Sequence, residues 1–376
     1  MIAFIYLIPL LTCVILYATT GSYYGVGEYL GVVAGSMAFT GLLHWLLYRY
    51  RVKCYEYLGS YISRVRHEDA WTEIQEYYET ETNSKGEFRQ VKKKRYIYHP
   101  EEWYYYTSIG SCFSSSQSTY DYVRNLWGTP CYDESIYGSE IRGGVRYYQE
   151  YYYSDFLKGC KSRDPFEDAE TFRTMIPITE KQKYTNKIKS SNSIFRFEKI
   201  SKEEAEELGL KEYPSEDTDI SPFLGKKVSV LEDASYRLLN AYYGSPYQIR
   251  FFILFFDSKK HDISTAEKQR AYWCGGNKNE FVVCLGVNDD NVDWCKAFSW
   301  MDSPVLATKV EDYFRSNAKL DLMELLDWFR DNLKYWKRKE FADFDYINVS
   351  LSPTQYWIAF IATCLVNILI FSLMVS

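Results

Sequence analysis

Histidine is scarce in this chain, with four among 376 residues, at His44, His67, His99 and His261. None sits in an HExxH-like or Cys/His spacing, which removes the sequence signatures of a zinc hydrolase or a zinc finger. The chain also has no P-loop, no GxGxxG fingerprint and no GxSxG elbow, so the usual nucleotide-binding and serine-hydrolase motifs are absent. Nine cysteines include no CxxC pair. Cys13 and Cys364 lie in apolar runs. The other seven (Cys54, Cys112, Cys131, Cys160, Cys274, Cys284 and Cys295) are an odd number, which a fully paired disulfide set within one chain cannot accommodate. Free thiols in a reducing compartment are the simpler expectation, and an external domain with two or three bridges is the alternative. The net charge of −6 gives no reason to expect nucleic acid as a partner.

What the sequence does have is long apolar runs. Residues 2–17, 30–48 and 354–376 are each strongly apolar, and the second and third contain no Asp, Glu, Lys or Arg. A helix needs roughly 20 mostly apolar residues to cross the hydrocarbon layer. The expectation is three transmembrane helices, the first short and carrying Pro9, with the lipid bilayer as the first partner. Arg49, Arg51, Lys53, Arg64 and Arg66 follow the second run, and Lys334, Lys337, Arg338 and Lys339 precede the third, whereas residues 18–29 have no Lys or Arg. The positive-inside bias then puts the domain between the helices in the cytoplasm, in a multi-pass protein of a plasma or inner membrane. Gly27, Gly31 and Gly35 repeat every fourth residue at the second run. Such a stripe lets another backbone approach, either in a homo-oligomer or in packing against another helix of the same chain. His44 and Asn367 are polar groups within apolar spans, for which interhelical hydrogen bonds are the expectation.

The soluble part divides by composition into residues 50–220 and 221–353. There are 37 tyrosines, many between Tyr96 and Tyr153, and tyrosine favours half-buried pleated surface. The first half is therefore expected to be rich in β-structure, with a hairpin over residues 71–98 turning at residues 83–86. Its first arm carries Glu73, Glu76, Glu79 and Glu81, and its second Arg89, Lys92, Lys93, Lys94 and Arg95, so opposite charges face across the arms. Residues 107–155 read as short strands and loops, and 194–200 as a strand. Capping pairs mark helix starts at Ser201/Glu204 and Ser264/Glu267, with Gly209 as a stop. Residues 228–243 and 304–315 have helical spacing, and residues 321–339 carry Leu322, Leu325, Leu326, Phe329, Leu333 and Trp336 on one face. Residues 249–256, 280–287 and 294–300 read as strands, the first buried on both sides. The fold class is α+β, with an α/β second half in which helices cover a small sheet.

Residues 228–333 resemble the TPM domain in the order of their elements. The likeness is carried by residues 251–257, by Trp273-Cys274-Gly275-Gly276-Asn277, by residues 281–286 and by the flanking helices. The glycine-rich and acidic positions that follow the family's central strand are not matched. The resemblance implies assembly, repair or partner binding at a membrane, and it says nothing of residues 1–227.

Candidate chemistry is sparse. Asp257 ends a buried-looking strand, and Asp289 and Asp290 follow another, positions used for metal or acid/base work and equally for turns. Cys274, Cys284 and Cys295 are nearly evenly spaced and suit either thiolate ligation on neighbouring strands or small apolar packing. Gly275-Gly276-Asn277 offers backbone N–H groups to an anion or simply makes a turn. No cofactor is implied. The reading that follows is an integral membrane protein whose soluble domain is an interaction or assembly module, with no chemistry evident. An extracytoplasmic glycan- or protein-binding module and a TPM-like metal-dependent phosphatase are the alternatives.

Overall fold

The computed structural model describes residues 2–68, 70–82, 86–127, 133–142, 145–155, 164–185, 197–214, 220–300, 304–340, 342–344, 346 and 350–375. In chain order the first elements are α1 (Ile2–Thr20), α2 (Val26–Arg51), β1 (Lys53–Glu68), β2 (Trp71–Thr82), β3 (Phe88–His99), β4 (Glu102–Thr107), β5 (Cys112–Ser115), α3 (Gln117–Trp127), β6 (Asp133–Arg142), β7 (Val145–Asp155), α4 (Ala169–Thr174), β8 (Pro177–Thr185) and α5 (Lys202–Glu207). There follow β9 (Phe223–Leu224), α6 (Val230–Tyr247), β10 (Arg250–Asp257), α7 (Ser264–Tyr272), β11 (Glu280–Asn288), β12 (Asn291–Ser299), α8 (Val305–Ser316), α9 (Leu322–Asn332) and α10 (Pro353–Val375). The chain is mixed α/β and forms two compact units. One comprises Met1–Glu56, Gln182–Phe197 and Lys339–Ser376, the other Tyr57–Lys181 and Glu198–Arg338.

In the first unit α1, α2 and α10 pack pairwise. Two of these helices, α2 and α10, are long and apolar enough to cross a membrane. The expectation of three such helices is corrected to two: the described apolar stretch of α1, Phe4–Thr20, is shorter than either. Polar side chains pin the bundle from inside. The Asn367 amide donates to Ser36 Oγ at 2.8 Å and to its own helix at the Thr363 carbonyl at 2.8 Å, and Thr40 and Thr363 hydroxyls meet at 3.4 Å. Tyr6 and His44 join α1 to α2 through a 3.3 Å contact. Both polar residues singled out within the apolar runs thus bond between helices.

The second unit holds two larger sheets besides the two-stranded β2-β3 sheet. One has the order β5-β4-β1-β7-β6, with β8 also paired to β1; the other has the order β12-β11-β10-β9. In the latter, β10 is parallel to β9 and β11, while β12 is antiparallel to β11. Alternation along β10 divides its core. Phe251, Ile253 and Phe255 pack with α6, α8 and α9, whereas Phe252, Leu254 and Phe256 pack with α5 and α7. Since α6 and α7 cover opposite faces while β9, β10 and β11 step one way across the sheet, the two crossovers have opposite hands. One of them departs from the right-handed rule.

Helix α6 serves both sheets. Tyr236 and Leu239 face the parallel sheet, and Leu238 and Tyr242 face β1, α3 and α4. The approach to β1 is backbone to backbone. A Cβ at Gly59 would stand 2.1 Å from the Asn240 carbonyl oxygen, and one at Gly244 would stand 2.6 Å from that of Gly59. The Asn240 side chain takes the Phe251 N–H at 2.6 Å and gives to the Phe251 carbonyl at 3.1 Å, bonding the edge of β10 that β9 does not reach.

Local signals landed with some shifts. The α6 start is capped by Ser229, whose hydroxyl accepts from Glu232 N–H while Glu232 accepts from Ser229 N–H. Ser201 caps α5, and Gly209 ends it at φ +63°. The expected Ser264/Glu267 box is not formed: Ser264 lies inside α7, and the Asp262 carboxylate accepts its N–H at 2.9 Å. The hairpin is real over β2 and β3, with Lys93 paired to Glu79 and Glu81 at 2.6 Å each. Its turn residues 83–85 lie outside the described residues. Residues 107–155 contain a helix, α3, where short strands and loops were expected. The strand expected over 194–200 is absent at 197–200, and 194–196 lie outside the described residues. Helix α9 ends at Asn332 and passes into a 3-10 turn over Leu333–Tyr335, short of residue 339.

Candidate functional site

A cleft of about 670 Å³ opens at the carboxyl ends of β9, β10 and β11. In open α/β sheets this edge is where ligands bind. The cleft brings Asp257 together with Asp289 and Asp290, 32 and 33 residues further along the chain, and with them Lys211, Lys226, Lys259, Lys260 and His261. Asp289 and Asp290 form the two-residue turn between Asn288 of β11 and Asn291 of β12, with Asp289 at φ +57°. That is the turn role their neighbouring asparagines suggested. Asp257 is exposed. Its carboxyl is held below the usual range first by the Lys259 backbone N–H, at 3.1 Å, and then by Lys260, whose Nζ is 3.3 Å away. Lys226 donates to the Asp289 carbonyl at 3.1 Å.

Lys211 stands apart from these. It is half-buried, and its ammonium lies 4.9 Å from the centre of the Phe256 ring. Gly225, at φ +93°, makes the room: a Cβ there would stand 2.7 Å from Lys211 Cε and 2.4 Å from the Phe255 carbonyl oxygen. Burial pushes the Lys211 pKa down. Sequence reading missed Lys211. No local pattern marks it, because the segment that carries it meets the strand ends only through tertiary packing.

The three cysteines do not converge. Leu285 of β11 pairs with Cys295 of β12, so these two share a face, and Cys284 points to the other. Accordingly Cys295 packs with α8 and α9, and Cys284 with α5 and α7. Cys274 is in a left-handed turn after α7, at φ +51°. Thiolate ligation by the three together is therefore excluded, and both buried thiols are pushed up, chiefly by burial. Among the described residues no group of three or more His, Cys, Asp or Glu is placed to hold a metal ion.

The Gly275-Gly276-Asn277 turn is formed, with both glycines at positive φ. Its anion is internal. The Glu280 carboxylate accepts the Asn277 N–H at 2.8 Å and the Asn277 side-chain amide at 3.0 Å, and Tyr213 donates its hydroxyl to the same carboxylate. Burial, and next the charge of Glu280, push the Tyr213 hydroxyl pKa up.

The glycine stripe of α2 also has a definite position. Ideal Cβ atoms at Gly27, Gly31 and Gly35 meet nothing within 4 Å. The buried face of α2 is the opposite one, carrying Tyr29, Ser36 and Thr40. The reading in which these glycines pack against another helix of the same chain is thus not realised.

The class defined so far is a mixed α/β chain with two helices able to cross a membrane and a lysine-rich cleft at its parallel strand ends. No family model, curated protein or solved structure matches the chain.

The Lys211 environment makes a pH-dependent prediction. With the folded pKa below the ordinary 10.5, the burial penalty on the charged amine is fully present at neutral pH. It is relieved as pH rises from the folded value to the unfolded one. Lys211→Met should melt above the wild type at pH 7, and the gap should narrow towards pH 10. Equal melting at pH 7, or a gap that widens with pH, would contradict this placement of the amine.

Proposed function

We propose that this chain is an integral membrane protein whose domain between the apolar helices is an interaction or assembly module, and that it self-associates through α2. The observation that carries the reading is the open Gly27, Gly31, Gly35 face, set opposite a face already filled by α1 and α10. Helix association in lipid relies on close backbone approach and packing, which small residues four apart allow. A second copy of the same helix offers the same stripe, so the contact is self-complementary. α1 packs on both α2 and α10 and completes the bundle.

Orientation follows the Lys/Arg bias, with the large domain in the cytoplasm. The TPM-like order of elements in residues 228–333 agrees with a role in assembly at a membrane. The cleft supports the same role, since four lysines on its walls suit an acidic segment of a partner. A TPM-like metal-dependent phosphatase is the second reading, favoured by the placement of Asp257, Asp289 and Asp290 on one cleft. Those lysines fit a divalent cation poorly, because each adds like charge beside it.

Gly31→Leu in the full-length protein should convert an oligomer in mild detergent to a monomer, read by light scattering, with the melting temperature unchanged. A monomeric wild type, or an oligomer that survives both Gly31→Leu and Gly35→Leu, would reject the seam. For orientation, a membrane-impermeant maleimide should label the exposed Cys112 only after permeabilisation. Labelling of Cys112 in intact cells would place the domain outside. Cys160, the other thiol suited to this test, lies outside the described residues.

A further inference from the structure

The four lysines of the cleft are not equivalent. Lys226 donates to the Asp289 carbonyl, Lys260 is paired with Asp257, and Lys259 is exposed. Lys211 is built in. Its backbone is clamped from α7: the Gln269 side-chain oxygen accepts the Lys211 N–H at 2.7 Å, while the Gln269 amide, at 3.0 Å, and the Trp273 indole, at 2.7 Å, donate to the Lys211 carbonyl. Gln269 is itself fully buried. The side chain then runs over the Phe256 ring and under Gly225, where a Cβ would stand 3.1 Å from Lys211 Nζ. Among the described residues the amine has no hydrogen bond or ion pair. It is thus a fixed, half-buried nitrogen on the wall of an open cleft.

An ammonium packed on an aromatic ring loses water on that side, and here it gains no anion in return. The neutral amine is favoured accordingly. A neutral, oriented lysine amine is a nucleophile for carbonyl carbon. The cleft volume, about 670 Å³, is that of a small-molecule site. Lys226, Lys259 and Lys260 line the same cleft and supply positive charge for an anionic substituent on such a molecule.

We infer that Lys211 forms an imine with a small aldehyde or ketone that carries a carboxylate or phosphate, seated in the cleft at the carboxyl ends of β9, β10 and β11. The ammonium first gives its proton to solvent. The nitrogen lone pair then attacks the carbonyl carbon, and the carbonyl π pair moves to oxygen, which takes up a proton. The nitrogen of this carbinolamine loses its remaining proton as the C–N double bond forms, and the hydroxyl leaves with a further proton as water. One amine and one carbonyl thus give one imine and one water, with no change of oxidation state. The inference does not rest on the proposed membrane role, because every residue it uses lies in the second compact unit. Seating an acidic partner needs only the charge of the lysines, whereas this chemistry needs the Lys211 amine itself.

The test is reductive trapping on the full-length protein in mild detergent at pH 7. Glycolaldehyde phosphate, glyoxylate and uncharged glycolaldehyde are each supplied with cyanoborohydride, and mass spectrometry of the digest gives the rate of labelling at each lysine. Exposed Lys202, outside the cleft, and exposed Lys259, within it, are the internal references. With at least one charged aldehyde, Lys211 should be labelled about tenfold faster than both references or more, at a rate that saturates with aldehyde concentration. The arm that shows this identifies the anion as phosphate or carboxylate. With glycolaldehyde the preference should shrink and the rate should rise linearly. Labelling of Lys211 no faster than Lys202 in both charged arms, or a preference as large with glycolaldehyde as with either charged aldehyde, would overturn the assignment.

Discussion

Everything in the second unit depends on one close approach, the backbone of Gly59 against the backbone of α6. No side chain stands between them, since a Cβ on Gly59 would reach 2.1 Å from the Asn240 carbonyl. This contact lets a single helix act as the shared wall of two sheets. On one side α6 buries Tyr236 and Leu239 against β10 and β11; on the other it buries Leu238 and Tyr242 against β1, α3 and α4. Polar groups tighten the arrangement. Asn240 holds the free edge of β10 at Phe251, and the Asn279 side chain donates to the Tyr57 carbonyl on β1 at 2.7 Å. Each is a buried bond that would be costly to leave unmade.

The shared helix also positions the cleft and a small cavity at opposite ends of β10. By holding β10 parallel to β9 and β11, the packing of α6 aligns three strand ends. It thereby brings Asp257, Asp289, Asp290 and the lysines of the cleft to one edge. At the other end of β10, Arg250 enters the seam between the sheets, where α6 contributes Arg237 and Asn240 and β8 contributes Thr179. The cleft is open and charged, and the cavity is the smaller of the two.

Much of the fold was legible in the sequence where a local rule decides the outcome. Ser201 with Glu204 marked the start of α5, the apolar spacing of Leu322, Leu325, Leu326 and Phe329 marked α9, and the acidic and basic arms of the hairpin pair as charge required. Other features rest on tertiary facts. Helix α3 was hidden because its tyrosines and serines carry a strand-like composition, although Tyr120, Val123 and Trp127 are spaced as one helical face. The separation of Cys284 from Cys295 turns on register, because a one-residue offset between β11 and β12 puts them on opposite faces. Arg250 gave a visible signal, as a lone charge in a buried-strand pattern, yet only the packed structure shows that its Nη1 lacks an acceptor. The length of α1, short of the other two apolar helices, is what separates a two-helix count from a three-helix one.

If α6 is the common wall, neither sheet can open without exposing the other. Native-state hydrogen exchange across a denaturant series measures this directly, comparing amides of β1 at residues 57–65 with those of β10 and β11. The account predicts that both sets converge on the same opening free energy and the same denaturant slope. Exchange of the β1 amides through a separate, much lower-energy opening, with β10 and β11 still protected, would contradict it.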